Sequence, residues 1–279
     1  MRYVTAVSLF MLIVLLLAAC QQAPDPVNGG FVIGEYALVP RESSLHVVNI
    51  ADASNPRFTT LIKMPGHVND LDIFGDLAYI DYLTPFPGGG YSPGGLQIVD
   101  VATPQEPALA QAYGLNTMVN DFLVTGDQGF RADYDQITLL DMADPGNTNS
   151  QTVFGTGTHV LKRQGDNLFG LWGGCGFRAP RCYTELTRYD LTAMPNMTAT
   201  AVFTTTEMPG YDVLPIDQFA VIGGWGVGVI DMTQSPLTLK SYISYEESYI
   251  YAVTQLAHQG NILYVLQDKT LHLLDTTNL

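Results

Sequence analysis

The sequence predicts an all-β protein, a six-bladed β-propeller of four-stranded antiparallel blades in which the last blade has room for only three strands. Three observations predict this fold. A short apolar strand pattern recurs six times, a second apolar strand precedes the copies, and no segment after the first 19 residues shows sustained helical periodicity. Because a unit of this kind cannot bury its apolar face alone, we expect neighbouring units to stack into a closed ring.

The recurring unit has five residues, with alternating apolar positions and a closing Asp or Asn. Its six copies lie at 45–49, 96–100, 137–141, 186–190, 227–231 and 271–275. The closing residues lie 41 to 51 residues apart. This spacing is too short for a domain and close to the ~40–45 residues of one propeller blade. Each copy therefore predicts one blade, and residues 31–279 form the propeller domain.

The other strands of each blade also have a sequence signature. An apolar strand precedes the copies, as at 77–80, 168–171, 219–222 and 262–265, and a Gly-Asp or Gly-Asn turn introduces several of these strands. A polar turn and another β-rich run follow each of the first five copies. Only four residues follow Asp275. We therefore expect either a short outer edge in blade six or a sequence that continues further.

One copy resembles a known family closely. Residues 96–101, Leu-Gln-Ile-Val-Asp-Val, followed by Pro104 and Pro107, are similar to the LVIVD repeat of bacterial and archaeal cell-surface proteins. The resemblance covers nearly all of residues 31–279. It departs from the family pattern in the fourth copy, where Arg188 and Tyr189 replace small apolar residues, and in the sixth. The resemblance implies a propeller at the cell surface and does not imply an activity.

The N-terminus predicts a lipoprotein signal peptide over residues 1–19. A weakly positive start is followed by an almost wholly apolar stretch at 4–17, which is too short to span a bilayer. It ends in Leu-Ala-Ala-Cys at 17–20, which resembles the lipobox of bacterial lipoproteins and implies acylation of Cys20. An ordinary signal peptide with a chance cysteine is the alternative. Gln21 in place of Asp resembles the family signal for the outer membrane of a Gram-negative cell.

Composition and charge limit the partners of the chain. Residues 20–30 are polar and rich in Pro and Gly, which predicts a flexible tether after the lipidated cysteine. The formal net charge of −15, with only 12 Lys and Arg, leaves no basic surface for nucleic acid. Anionic lipid head groups would repel this charge, so we expect membrane contact through the lipid anchor alone. We also expect a monomer.

Two further cysteines predict a disulfide. Cys175 and Cys182 are the only other cysteines, and Gly174, Gly176 and Pro180 suit the tight loop that a bridge between them would close. A free or metal-binding pair is the alternative, although no His or third Cys stands nearby to complete a zinc site.

Polar residues recur near the start of the predicted innermost strands. Aligning the repeats gives a polar cluster at the expected channel mouth, consisting of Asn69, Asp70, Asn120, Asp121, His159 and Asp212. An Asp that recurs once per repeat favours a structural role, capping a strand or accepting backbone N–H groups between blades. The alternative is a Ca²⁺ site of Asp70, Asp121 and Asp212, because carboxylates are typical ligands of this ion.

Two segments make their repeats longer than the others, and we expect both to be loops on one face. They are 82–95 and 172–185, and their candidate binding residues are Tyr82, Phe86, Tyr91, Trp172, Phe177, Arg178, Arg181 and Tyr183. Exposed aromatic residues with neighbouring Arg are typical anchors of interfaces, and insertions on one face of a repeat protein often build a binding surface. Packing of these aromatics over the channel mouth is the alternative.

The sequence favours binding over chemistry. No Gly-x-Ser-x-Gly elbow appears, and no Glu lies on a predicted inner strand, where a metal-dependent lactonase-like propeller would need one. We expect a non-catalytic envelope propeller that binds or scaffolds a protein or a glycan and has no cofactor. A Ca²⁺-dependent propeller hydrolase is the alternative.

Overall fold

The computed structural model describes most of the predicted propeller domain. The described residues are 31–52, 54–86, 90–115, 119–133, 136–142, 151–154, 158–175, 182–194, 196–244, 253–267 and 270–277. The signal peptide, Cys20 and the tether lie outside them, and so do Phe177, Arg178 and Arg181. Within this part of the chain no helix is long and apolar enough to cross a membrane.

The first three sheets contain twelve strands. These are β1 (Phe31–Ile33), β2 (Tyr36–Arg41), β3 (Ser44–Asn49), β4 (Arg57–Lys63), β5 (His67–Phe74), β6 (Leu77–Pro85), β7 (Tyr91–Asp100), β8 (Ala108–Gly114), β9 (Asp121–Thr125), β10 (Gln128–Ala132), β11 (Ile137–Asp141) and β12 (Gln151–Phe154). Each sheet has four strands, in the orders β1-β2-β3-β4, β5-β6-β7-β8 and β9-β10-β11-β12.

The last three sheets contain eleven strands within the described residues. These are β13 (Val160–Gln164), β14 (Asn167–Cys175), β15 (Cys182–Asp190), β16 (Ala199–Thr205), β17 (Asp212–Ile216), β18 (Phe219–Gly223), β19 (Gly226–Asp231), β20 (Thr238–Ser244), β21 (Val253–Gln259), β22 (Ile262–Gln267) and β23 (Thr270–Asp275). The fourth and fifth sheets have four strands each, and the sixth has three.

The strand order confirms the predicted fold class. Neighbours in every sheet are consecutive in the chain, so each sheet is an antiparallel meander, and six such sheets define a six-bladed β-propeller. The chain forms two compact units. The N-terminal unit contains the first two sheets and most of the third, and the C-terminal unit contains the fourth to sixth sheets.

Apolar side chains join each sheet to the next one within both units. In the N-terminal unit, Leu38 of the first sheet and Ile80 of the second belong to one buried cluster, and a second cluster joins Leu96 to Phe122 of the third sheet. In the C-terminal unit, similar clusters join the fourth sheet to the fifth and the fifth to the sixth. The second and fifth sheets are therefore covered on both faces, which is why their inner strands are apolar on both sides.

The closing Asp or Asn of the repeat forms a turn at the end of the third strand, which we call the corner turn. Its side-chain oxygen accepts a hydrogen bond of 2.8 to 3.0 Å from the backbone N–H two residues further on. The pairs are Asn49–Ala51, Asp100–Ala102, Asp190–Thr192, Asp231–Thr233 and Asp275–Thr277. An Asp or Asn side chain forms such turns readily, which explains why these residues close the pattern.

The hairpin turns also agree with the sequence signals. Gly75, Gly165 and Gly260 have φ between 58° and 60°, the left-handed region that glycine adopts without steric cost. In the fifth sheet this conformation is adopted by Asp217, with φ of 52°.

The two expected loops are mostly strands, and this part of the prediction is wrong. β6 and β7 form nine residue pairs, from Leu77 opposite Asp100 to Pro85 opposite Tyr91. β14 and β15 also form nine pairs, from Asn167 opposite Asp190 to Cys175 opposite Cys182. The additional residues lengthen two hairpins, because the second and third strands of each of these sheets continue to pair with each other past the last pair that the first strand makes. We refer to these as the long hairpins.

Candidate functional site

The strand register shows that the recurring Asp residues are equivalent. Each lies on the first strand of its sheet and pairs with the residue eleven positions further along the chain: Asp70 with Asp81, Asp121 with Ala132 and Asp212 with Gly223. In the fourth and sixth sheets the equivalent residues are Val160, opposite Leu171, and Gln255, opposite Leu266. The alignment of the repeats therefore matches the structure.

Two of these carboxylates link adjacent sheets through main-chain hydrogen bonds. One oxygen of Asp212 accepts the N–H of Val213 at 2.9 Å, and the other accepts the N–H of Leu256, in the sixth sheet, at 2.8 Å. Asp70 accepts Leu71 N–H at 2.9 Å and Phe122 N–H, in the third sheet, at 2.8 Å. We call this arrangement the Asp bridge. It satisfies backbone donors at the interface between sheets, and the Phe122 N–H is shared with Asp121, which accepts it at 2.8 Å.

A third Asp bridge lies two residues further along the same strand. Asp72 accepts Ile73 N–H at 2.8 Å and Val124 N–H, in the third sheet, at 2.6 Å. Residues i and i+2 of a strand lie on the same face, so Asp72 contacts the same neighbouring sheet as Asp70. The sequence analysis missed Asp72. The equivalent residue of the fourth sheet is Lys162, which is buried, and its positive charge partly offsets the effect of burial, which raises the pKa of Asp212.

Asp81 is a buried carboxyl group that the sequence analysis also missed. Asn69 donates one hydrogen bond of 2.8 Å to Asp81 and another of 2.8 Å to the carbonyl of Val119. Burial raises the pKa of Asp81 from its ordinary value of 3.8 to about 7, and the negative charge of Asp70 adds to this effect. The hydrogen bond from Asn69 and the positive charge of Arg131 act in the opposite direction. Asp81 therefore changes its charge near neutral pH.

The long hairpin β14–β15 carries an aromatic cluster, defined as His159, Trp172 and Tyr183. The ring centroids of Trp172 and Tyr183 are 5.1 Å apart with an edge-to-face geometry, and those of Trp172 and His159 are 5.9 Å apart. Trp172 pairs with Glu185 across the hairpin, and Tyr183 lies two residues from Glu185, so these three side chains share one face. Three sequence-predicted residues are thus brought together.

Glu185 gives the aromatic cluster a polar edge. The hydroxyl of Tyr183 donates a hydrogen bond of 2.6 Å to one carboxylate oxygen, and the hydroxyl of Thr187 lies 3.4 Å from the other. The hydrogen bond to Glu185 raises the pKa of Tyr183 to about 12, and burial lowers the pKa of His159. The cluster therefore has aromatic rings, a hydroxyl held by a hydrogen bond and a carboxyl group within one face of a sheet.

The long hairpin β6–β7 presents aromatic side chains of its own. Phe86 and Tyr91 are exposed, and the ring of Tyr91 lies 5.2 Å from that of His67. Tyr82 lies against the glycines of the same hairpin: a Cβ atom at Gly95 would come within 2.7 Å of the Tyr82 hydroxyl, and one at Gly94 within 2.8 Å of its ring. Gly94 and Gly95 therefore leave room for the Tyr82 ring and for the backbone carbonyls of Tyr82 and Tyr113, which a Cβ would approach more closely still.

The remaining candidates have simpler placements. Asn120 lies directly before β9, and its backbone N–H donates to the carbonyl of Ala132 at 2.8 Å. The backbones of Cys175 and Cys182 are register partners at the end of the β14–β15 hairpin. Within the described residues, no three His, Cys, Asp or Glu side chains are grouped so that they could hold a metal ion.

Comparisons with known proteins address the fold. No protein-family model matches the chain, and no curated protein matches it. Among solved structures, the Kuenenia stuttgartiensis hydrazine synthase has a TM-score of 0.63 at 11% identity, over 83% of this chain and 70% of that one. A hypothetical selenium-binding protein from Sulfolobus tokodaii has a TM-score of 0.61 at 13% identity, over 89% of this chain and 69% of that one. A chain of a mitotic checkpoint complex has a TM-score of 0.60 at 10% identity, over 87% of this chain and 73% of that one. Likeness at these identities shows the fold alone.

Proposed function

We propose that this protein is a cell-envelope lipoprotein whose propeller binds a protein or glycan partner without catalysing a reaction. The observation that carries the proposal is the aromatic cluster with Glu185 beside the paired strands β14 and β15. Aromatic rings with a polar handle are typical binding anchors, because they bury a large apolar area while losing little side-chain entropy. A paired hairpin supports this role since its backbone is already ordered before the partner arrives.

The chemistry of the cluster fits either class of partner. Trp172 and Tyr183, which are both partly exposed, offer apolar surface for a sugar ring or an aliphatic side chain. The carboxylate of Glu185, held by the Tyr183 hydroxyl, can accept hydrogen bonds from sugar hydroxyls or from a basic residue of a protein. The exposed Phe86 and Tyr91 of the other long hairpin offer a second surface of the same kind.

Replacing Trp172 by Ala should reduce partner capture about 30-fold, because anchor residues of this type contribute ~2 kcal/mol or more to binding. The measurement is affinity capture from envelope extract by the full-length, immobilised protein. Captured proteins would be quantified by mass spectrometry, and captured glycans by hydrolysis and sugar analysis. Tyr242→Ala is the matched control, since Tyr242 is an exposed aromatic residue on β20, outside the cluster. Equal capture by wild type and a folded Trp172→Ala variant would contradict the proposal.

The lipid anchor and the disulfide belong to the same proposal, since both require export. The resemblance of residues 17–20 to a lipobox supports acylation at Cys20. The opposed backbones of Cys175 and Cys182 support a bridge, because opposite residues of an antiparallel pair lie at about the Cα separation that a disulfide needs.

Intact-mass analysis of the protein purified from membranes tests both features in one measurement. We expect the mass of a chain that begins at Cys20 plus its acyl groups, and a gain of two hydrogen atoms on reduction. Cys20→Ser should abolish acylation and release the protein from the membrane fraction. An unacylated wild-type protein, or two free thiols before reduction, would count against the corresponding feature.

A further inference from the structure

The outer edge of the sixth sheet differs from that of the other sheets. In the fourth and fifth sheets the third strand pairs on both sides, as β15 does with β14 and β16, and β19 with β18 and β20. In the sixth sheet, β23 pairs with β22 through six residues, and no strand within the described residues pairs with its other side. That side presents backbone N–H and C=O groups that can accept another strand.

An exposed leucine lies on this edge strand, within the part of the chain that the structure describes. Leu273 is the third residue of the repeat unit and is 47% exposed. Of the equivalent residues in the other sheets, Val47, Ile98 and Val229 are 0%, 5% and 4% exposed, and Leu139 and Arg188 are partly buried. A large apolar side chain that is exposed where none of its counterparts is exposed indicates a missing packing partner.

The end of β23 is nevertheless formed as in the complete sheets. Asp275 makes the corner turn to Thr277, and the N–H of Thr276 donates to the carbonyl of Asn261 at 2.8 Å. The equivalent bond in the fifth sheet runs from Met232 N–H to the carbonyl of Gln218 at 2.9 Å. The edge is therefore preformed, and a fourth strand would not have to rearrange it.

The complete sheets show which residues a fourth strand supplies. Opposite the first residue of the repeat unit, each described pairing places an aromatic or β-branched residue. The pairs are Ile62–Leu45, Tyr113–Leu96, Phe203–Leu186 and Ile243–Val227. The register shifts in every one of these sheets between the third and fourth residues of the unit. In β23, the first residue of the unit is Leu271, so a fourth strand would place its aromatic or β-branched residue opposite Leu271. The register shift would fall between Leu273 and Leu274.

We propose that the outer edge of β23 binds an extended segment of a second polypeptide as an antiparallel fourth strand. The segment places an aromatic or β-branched residue opposite Leu271 and covers Leu273. Strand addition of this kind takes its affinity from main-chain hydrogen bonds and its specificity from the alternate side chains. The net charge of −15 favours a segment with basic residues. Residues 20–30 of this chain are a poor match, since they contain two prolines and no aromatic residue.

A peptide with the sequence of β4, Arg-Phe-Thr-Thr-Leu-Ile-Lys, is the probe, because it has the fourth-strand pattern and a basic residue at each end. Added to the full-length protein, it should bind saturably and slow amide hydrogen exchange in Thr270–Asp275 at least tenfold. The same peptide with proline in place of its isoleucine should bind at least tenfold more weakly. In the protein, Leu273→Lys should weaken binding at least fivefold, by exposing a charge where the peptide packs.

Two controls keep the result interpretable. Leu109→Lys changes another exposed leucine, on β8, and should leave peptide binding unchanged. Trp172→Ala should also leave it unchanged, so this proposal and the proposed function fail independently. Absence of binding, or equal binding of the proline peptide, would overturn the proposal. Protection of Thr270–Asp275 without peptide would also overturn it. Protection in the free monomer would indicate cover by the same chain, and protection only in a dimer would indicate cover by a second copy.

Discussion

Asp81→Asn is expected to stabilise the protein at pH 8 and to flatten the dependence of its stability on pH. The wild-type carboxyl has a pKa of about 7 in the folded state, against an ordinary value of 3.8. The folded state therefore binds this proton more tightly than the unfolded state does. The resulting stabilisation is complete below about pH 4 and is lost as the pH rises through about 7, up to ~4 kcal/mol in total.

Asparagine mimics the protonated form at every pH. Its side-chain oxygen can still accept the hydrogen bond from Asn69, so the fold should be retained. The measurement is thermal unfolding of wild type and variant at several pH values between 5 and 8.5. Asp76→Asn is the control, because Asp76 is exposed in the turn between β5 and β6. If Asp81→Asn and wild type lose the same stability between pH 5 and 8, Asp81 is not the titrating group.

Asp212→Ala is expected to lower the free energy of unfolding by about 3 kcal/mol or more. The Asp212 side chain is almost fully buried, and removing it leaves the N–H groups of Val213 and Leu256 without their acceptor. Each buried donor left unsatisfied costs ~1–3 kcal/mol. Because one of the two hydrogen bonds crosses to the sixth sheet, the substitution should weaken the contact between sheets as well as the strand itself.

Urea unfolding of wild type and two variants tests this expectation. Asp231→Ala is the matched control, since Asp231 also accepts a backbone N–H, from Thr233, but in an exposed turn where water can replace it. We expect the control to lose ~1 kcal/mol or less. Equal losses in the two variants at the same m-value would show that the Asp bridge contributes no more than a surface turn.

The sequence was sufficient to predict the strands that repeat. The spacing of the five-residue unit predicted the number of sheets. Glycines such as Gly75 and Gly165 predicted the hairpins, because few other residues adopt the left-handed conformation that a tight turn between two strands requires. The long hairpins could not be recognised in the same way. Pro85 and Pro93 lie within β6 and β7, and the nearby glycines are typical of loops. Proline in a strand usually indicates an edge or an end.

The candidate site was predicted in part, for a similar reason. Asp70 and Asp212 were visible because they recur, whereas Asp72 and Asp81 each occur once and have no counterpart in the other repeats. Asp81 directly follows an apolar run that was interpreted as a strand ending at Ile80. No sequence signal therefore predicted that Asp81 is buried. The contact between Trp172 and Tyr183 depends on the strand pairing of 172–175 with 182–185, which the loop interpretation did not contain.

The Asp bridge has a consequence for which substitutions this fold tolerates. The partner of each carboxylate in the next sheet is a peptide N–H, which every residue except proline provides. The Asp bridge therefore places no constraint on the side chains at Phe122, Val124 and Leu256. Substitutions at these positions can retain the alignment of one strand with the next. Where Val160 stands in place of the aspartate, in the fourth sheet, the fit between side chains must maintain that alignment, so its interface with the fifth sheet should accept fewer replacements.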